Sequence, residues 1–97
     1  MAKQLILFRI PGMTLEQYDQ CWNELRASGM ENPPGLIHHV GAQSGDTFLA
    51  ADVWESLEAF QKFGETLMPI FARAGVTNAP PPEIAPVHYE LLGTVEA

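Results

Sequence analysis

An α+β chain, built as a four-stranded antiparallel sheet with two helices on one face, is what three features of the sequence predict. Two segments carry apolar residues at helical spacing behind capping residues, and four others carry strand-like apolar runs. The punctuation between them gives the order strand, helix, strand, strand, helix, strand. The turn-forming Ser44-Gly45-Asp46 makes the two middle strands a hairpin.

The first strand spans Lys3 to Ile10, where Leu5, Ile6, Leu7, Phe8 and Ile10 are nearly continuous in apolarity, so both faces of this strand are expected to be covered. Pro11-Gly12 ends it. Thr14-Leu15-Glu16-Gln17 then matches a capping box, which starts a helix at Leu15. Leu15, Tyr18, Trp22 and Leu25 fall on one side of that helix, opposite Glu16, Gln17, Asp19, Gln20, Asn23 and Glu24. Gly29 and Pro33-Pro34-Gly35 close it. Leu36 to Gln43 and Thr47 to Trp54 form the hairpin. Ser56 caps a second helix carrying Leu57, Phe60, Phe63 and Leu67, with Glu58 favourably placed on its dipole. Pro69 removes a backbone donor, so this helix is expected to kink or restart there, and Gly75 ends the segment. Three prolines between Asn78 and Pro82 make a stiff extended connector to a last strand, Val87 to Leu92.

The order βαββαβ, with right-handed crossovers, leads to the ferredoxin-like fold, in which the first and third strands are central neighbours and the second and fourth are the edges. Two helices cover one face only, so apolar side chains of the other face need a second sheet. At about 25 cal/mol per Å2, a few hundred Å2 left wet would forgo several kcal/mol, comparable with the whole stability of a small domain. A face-to-face homodimer is therefore expected.

Composition narrows the function classes. The 97 residues leave room for one domain, spanning 1–97, and no apolar run approaches the ~18 residues of a membrane span. A net charge of −7 argues against nucleic acid as a partner, because phosphates require concentrated positive charge. One cysteine makes no internal disulfide, and Met1 leads directly into strand pattern without a signal-peptide cleavage region, so a cytoplasmic location is expected. No Gly-rich phosphate loop, Ser-centred elbow or Cys-x-x-Cys occurs, which removes nucleotide, serine-hydrolase and thioredoxin chemistry.

Trp54-Glu55-Ser56 before Glu58-Ala59-Phe60, followed by Leu67-Met68-Pro69 and Ala74-Gly75-Val76, resembles the small dimeric α/β-barrel proteins that include the antibiotic-biosynthesis-monooxygenase-like domain. The likeness runs from the first strand to His88-Tyr89-Glu90 and its motifs are structural. It implies that two sheets join into a barrel, that the last strand often reaches toward the partner, and that a pocket lies between sheet and helices. Members include cofactor-free oxygenases, haem-degrading enzymes, lactone isomerases and polyketide cyclases. The haem-degrading relatives hold iron with a histidine on the second helix, and Leu57 to Arg73 contains none.

His38 and His39 are adjacent on a strand and must point to opposite faces, so both cannot serve one pocket. Each has two readings: an edge or interface histidine bonded to backbone, or a general acid or base, for which an unperturbed pKa near ~6.5 suits neutral pH. His88 on the last strand has the same two readings, and would meet His38 or His39 across the dimer. No metal is expected, because a histidine pair that diverges cannot converge on an ion with Asp52 and Glu90. Asp52 and Trp54 share a strand face with Phe48 and Ala50; Arg9 is the expected partner of the Asp52 carboxylate, as a structural pair or an oxyanion site. Tyr18, Trp22, Phe63, Leu67 and Phe71 form a stripe that is either plain core or the lining of a cavity above Ala50 and Ala51. Cys21 has no neighbouring cation to make it a nucleophile, and Met13, Met30 and Met68 are packing residues first.

The leading expectation is a homodimeric enzyme using no cofactor, of monooxygenase, isomerase or cyclase type. It would act on a hydrophobic aromatic or polyketide-like molecule through His38 or His88 as acid or base, with Tyr18, Trp22 and Trp54 shaping the cavity. The alternative is a non-catalytic ligand-binding or dimeric interaction module.

Overall fold

A computed structural model describes residues 2–93. The elements are β1 (Gln4–Pro11), α1 (Leu15–Ala27), β2 (Leu36–Ser44), β3 (Thr47–Trp54), α2 (Leu57–Arg73) and β4 (Glu83–Pro86). The four strands form one antiparallel sheet in the order β2-β3-β1-β4, so the ferredoxin-like arrangement with β1 and β3 at its centre holds.

Local chemistry starts both helices as anticipated. The Gln17 amide donates to Thr14 Oγ1 at 3.1 Å and the Thr14 amide to Gln17 Oε1 at 2.9 Å, a complete capping box. Gln17 Nε2 also donates to the Ala74 carbonyl at 3.2 Å, tying the start of α1 to the end of α2. Ser56 Oγ accepts from the Ala59 amide at 3.1 Å and caps α2. Contrary to expectation, α2 runs through Pro69 to Arg73. The carbonyl that Pro69 cannot bond belongs to Glu65, and both residues lie on the exposed side, so the missing bond does not fall in the core. Buried Ile70 and Phe71 hold the last turn against the core.

Along β3 exposure alternates strictly, placing Phe48, Ala50, Asp52 and Trp54 under the helices. Their partners on β1 are Ile10, Phe8, Ile6 and Gln4, and Leu25 of α1 with Phe63 and Ile70 of α2 complete the core from above. The other face is bare: Leu5 and Val40 are exposed, and Leu7, Leu49, Ala51 and Val53 are half-buried. Ala51 thus lies away from the helices, leaving Ala50 alone beneath them. Leu15, expected on the buried side of α1, is exposed in its first turn.

The last strand is Glu83–Pro86, not Val87–Leu92. The prolines deliver an already extended chain alongside β1, and Glu83 pairs with Leu7 and Pro86 with Gln4. The Val87 amide still donates to the Lys3 carbonyl at 2.8 Å, but there the chain has passed the start of β1 and has no strand left to pair with. His88 therefore lies beyond the sheet rather than on it.

Candidate functional site

One histidine turns toward the helices, and a bulge decides which. Leu36 pairs with Trp54, yet His38 pairs with Val53, so Ile37 is an extra residue on β2. Without it, two-residue periodicity from inward-facing Leu36 would bring His38 under the helices. With it, His39 pairs with Asp52 and takes the inward position. The Asp52 carboxylate, 6% exposed, takes up His39 Nδ1 at 2.5 Å through Oδ1 and the Trp54 indole N–H at 3.1 Å through Oδ2. Because a carboxylate only accepts, Nδ1 carries the proton, and in the neutral imidazole Nε2 then presents a lone pair. Tyr18 of α1 stands 2.6 Å from that Nε2 through its hydroxyl, which donates to it.

Aromatic rings enclose this chain of bonds. Tyr18 stacks on Phe48 with ring centroids 4.4 Å apart, and Trp22 meets the His39 ring edge-on at 5.2 Å. Burial raises the Tyr18 pKa, the Asp52 and Asp19 charges add to the rise, and Trp22 and Arg26 oppose it, so the hydroxyl keeps its proton at neutral pH. Behind these rings is a cavity of about 50 Å3 whose wall includes Phe8, Trp54, Phe63 and Phe71, with His39 and Asp52 as its charged-type groups. A base held by a carboxylate on one nitrogen and bonded on the other to the Tyr18 hydroxyl, in the wall of an apolar space, can accept a proton from a bound molecule only once that hydroxyl moves aside.

The other sequence candidates are elsewhere. Arg9 does not meet Asp52: Asp52 is the partner of Ile6, three residues away, so Arg9 faces the bare side, where its Nε lies 3.4 Å from Glu83 Oε1. His38 is also on the bare side, with Nε2 2.7 Å from Glu90 Oε2, a close approach without hydrogen-bond alignment. The other Glu90 oxygen accepts from Lys3 Nζ at 2.7 Å. That bond, with His38 assisting, holds the Glu90 carboxyl below the usual glutamate range. His88 is exposed. Cys21 is buried, and its burial, with Glu24 nearby, pushes the thiol up to about 11, which suits packing rather than nucleophilic attack. Among the described residues no three His, Cys, Asp or Glu side chains gather as a metal site, and no helix is long and apolar enough to cross a membrane.

No protein-family model and no curated protein matches the chain in sequence. Solved structures do match in shape. A Chloroflexus aurantiacus protein provisionally named an antibiotic biosynthesis monooxygenase superimposes with a TM-score of 0.64 at 15% identity, over 95% of this chain and 100% of the other. SnoaB, a cofactor-independent oxygenase from Streptomyces nogalater, gives 0.61 at 13% identity over 95% and 97%. The fold is that of the antibiotic-biosynthesis-monooxygenase-like barrel proteins. A third such neighbour, the ActVA-Orf6 monooxygenase of Streptomyces coelicolor, was solved with the ligand nanaomycin D and gives 0.58 at 15% identity over 96% and 94%.

Within this monooxygenase-like fold, sequence reasoning missed two residues that shape the site. Ile37 is the bulge itself. Gly41, on the helix-facing side of β2, lets Tyr18 lie flat: a Cβ there would come within 2.8 Å of the Tyr18 hydroxyl and 2.9 Å of Phe48 Cζ. Its signal was present, since a glycine inside a strand marks a close approach.

Proposed function

We propose that this chain is a cofactor-independent enzyme of monooxygenase, isomerase or cyclase type that withdraws a proton from a hydrophobic aromatic or polyketide-like substrate, with His39 as the base. The observation that carries the reading is the His39 imidazole fixed by Asp52 through Nδ1 in the wall of the aromatic cavity, with Nε2 on the Tyr18 hydroxyl. Asp52 orients the ring and compensates the imidazolium formed, and Trp54 holds Asp52 in place. The proton of a phenol, or of a carbon next to a carbonyl, passes to Nε2 and leaves a phenolate or enolate. Oxygenation by dioxygen, isomerisation and cyclisation all begin from that anion. Tyr18, Trp22 and Phe71 shape the cavity. Arg9, His38 and His88 take no part within one subunit. SnoaB, similar in fold, supports chemistry without a cofactor.

The same reading includes a homodimer closed over the bare sheet face. Leu5 and Val40 on the sheet, with Tyr89, Leu91 and Leu92 beyond it, are the exposed apolar side chains a second copy would cover. The lone buried thiol suits the reducing cytoplasm.

One observation favours the alternative of a non-catalytic module: a cavity of about 50 Å3 holds little more than water, and Tyr18 already occupies the base. The deciding experiment replaces His38, His39 and His88 singly by Ala and assays a panel of phenols and β-keto compounds. His39→Ala is expected to lose at least about a hundredfold in kcat/KM, with the other two near wild type. Turnover that survives His39→Ala intact refutes the base.

A further inference from the structure

Two spaces flank the Tyr18 ring. Inside is the aromatic cavity of about 50 Å3. Outside is an open, shallow groove along one face of α1, lined by Tyr18, Asp19, Trp22, Asn23 and Arg26 of that helix alone. Tyr18 and Trp22 are the side chains common to both. An apolar cavity of about 150 Å3 is what accepts a single benzene ring, so no aromatic substrate enters the inner space while both side chains stay in place. Trp22 only packs edge-on against His39, whereas the Tyr18 hydroxyl occupies Nε2, the one lone pair a substrate proton can reach. A structure with Tyr18 in this position is therefore closed in both volume and chemistry.

We propose that Tyr18 is a movable wall that stands in for the phenol or enol ring of the substrate. The inference rests on the reading of His39 as the base. Tyr18 is itself a phenol, lying flat on Phe48 above Gly41 with its hydroxyl on Nε2. A substrate ring that replaces it inherits the same stacking partner, the same glycine floor and the same hydrogen bond. Tyr18 is only half-buried, and the proposed movement turns its side chain off the sheet toward the outer groove, which would join the two spaces.

The test is the affinity of 2-naphthol for the purified protein, by calorimetry, in wild type, Tyr18→Phe and Tyr18→Ala. Phenylalanine keeps the wall but removes its bond to His39, so naphthol binding tightens about tenfold, the weight of one hydrogen bond that no longer competes. Tyr18→Ala binds at least as tightly as Tyr18→Phe. Unchanged or weaker affinity in Tyr18→Phe, or no measurable binding to either variant, overturns the proposal. Tyr18→Phe is isosteric and keeps the question answerable if Tyr18→Ala loosens the fold, which near-ultraviolet circular dichroism reports. Affinity needs no turnover, so the two ideas fail separately. Tightening in Tyr18→Phe, with activity indifferent to His39→Ala, keeps the wall and removes the base. His39-dependent turnover with a naphthol affinity that ignores Tyr18 keeps the base and removes the wall.

Discussion

The two faces of the sheet are made by the same strands and have opposite fates. On the helix-covered face Ile6, Ile10, Phe48 and Trp54 are at most 2% exposed, and the buried polar residue among them, Asp52, has a partner on each oxygen. On the bare face Leu5 and Val40 stand in solvent, and the polar contacts, Arg9 with Glu83 and Lys3 with Glu90, are between surface groups. Alternation along a strand supplies apolar side chains to both sides at once. What separates them is the covering layer, and only one side has it within the chain. Tertiary stability and the candidate site thus belong to one face, and the other is the face proposed for association.

Substitutions on the two faces should separate these roles. Trp54→Ala removes the largest fully buried side chain and is expected to cost about 3–5 kcal/mol in urea denaturation. Asp52→Ala, on the same face, leaves the buried Trp54 indole N–H and His39 Nδ1 without their acceptor, and about 1–3 kcal/mol should be lost. Val40→Lys on the bare face should change subunit stability by about 0.5 kcal/mol or less, yet weaken self-association at least about tenfold in sedimentation equilibrium. Equal losses of subunit stability for Trp54→Ala and Val40→Lys would erase the distinction. The smallest effect concerns Glu90. Its carboxyl is held below the usual range, chiefly by Lys3, so its contribution is present above pH about 4.5 and fades as pH falls through the lowered value. Glu90→Gln should flatten that acid limb of the stability curve and leave stability near pH 7 little changed; an unaltered limb would place the acid sensitivity elsewhere.

Much of this architecture is written in local sequence. Thr14 and Gln17, Ser56, and the alternation of Thr47 to Trp54 act through neighbours a few residues away, and each appears as read. Side-chain parity was also available for Arg9: with Ile6 and Ile10 facing inward, Arg9 points outward and cannot reach Asp52. Two features resisted because they depend on register. The sequence Val87-His88-Tyr89-Glu90-Leu91-Leu92 has better strand composition than Glu83-Ile84-Ala85-Pro86, but pairing is granted by where β1 begins, and β1 begins too late for it. The site depended on the Ile37 bulge, which carries neither glycine nor proline to announce it. One extra residue exchanged the fates of His38 and His39, so the residue types of the site were legible while the choice between adjacent histidines was not.

The central claim, that His39 is held ready as a base, is open to a direct measurement. Long-range proton–nitrogen NMR of imidazole-labelled protein at pH 8 distinguishes a protonated from an unprotonated ring nitrogen. The account predicts a His39 ring with its proton on Nδ1, shared with Asp52, and a bare Nε2. A proton found on Nε2, with Nδ1 bare or also protonated, would contradict it.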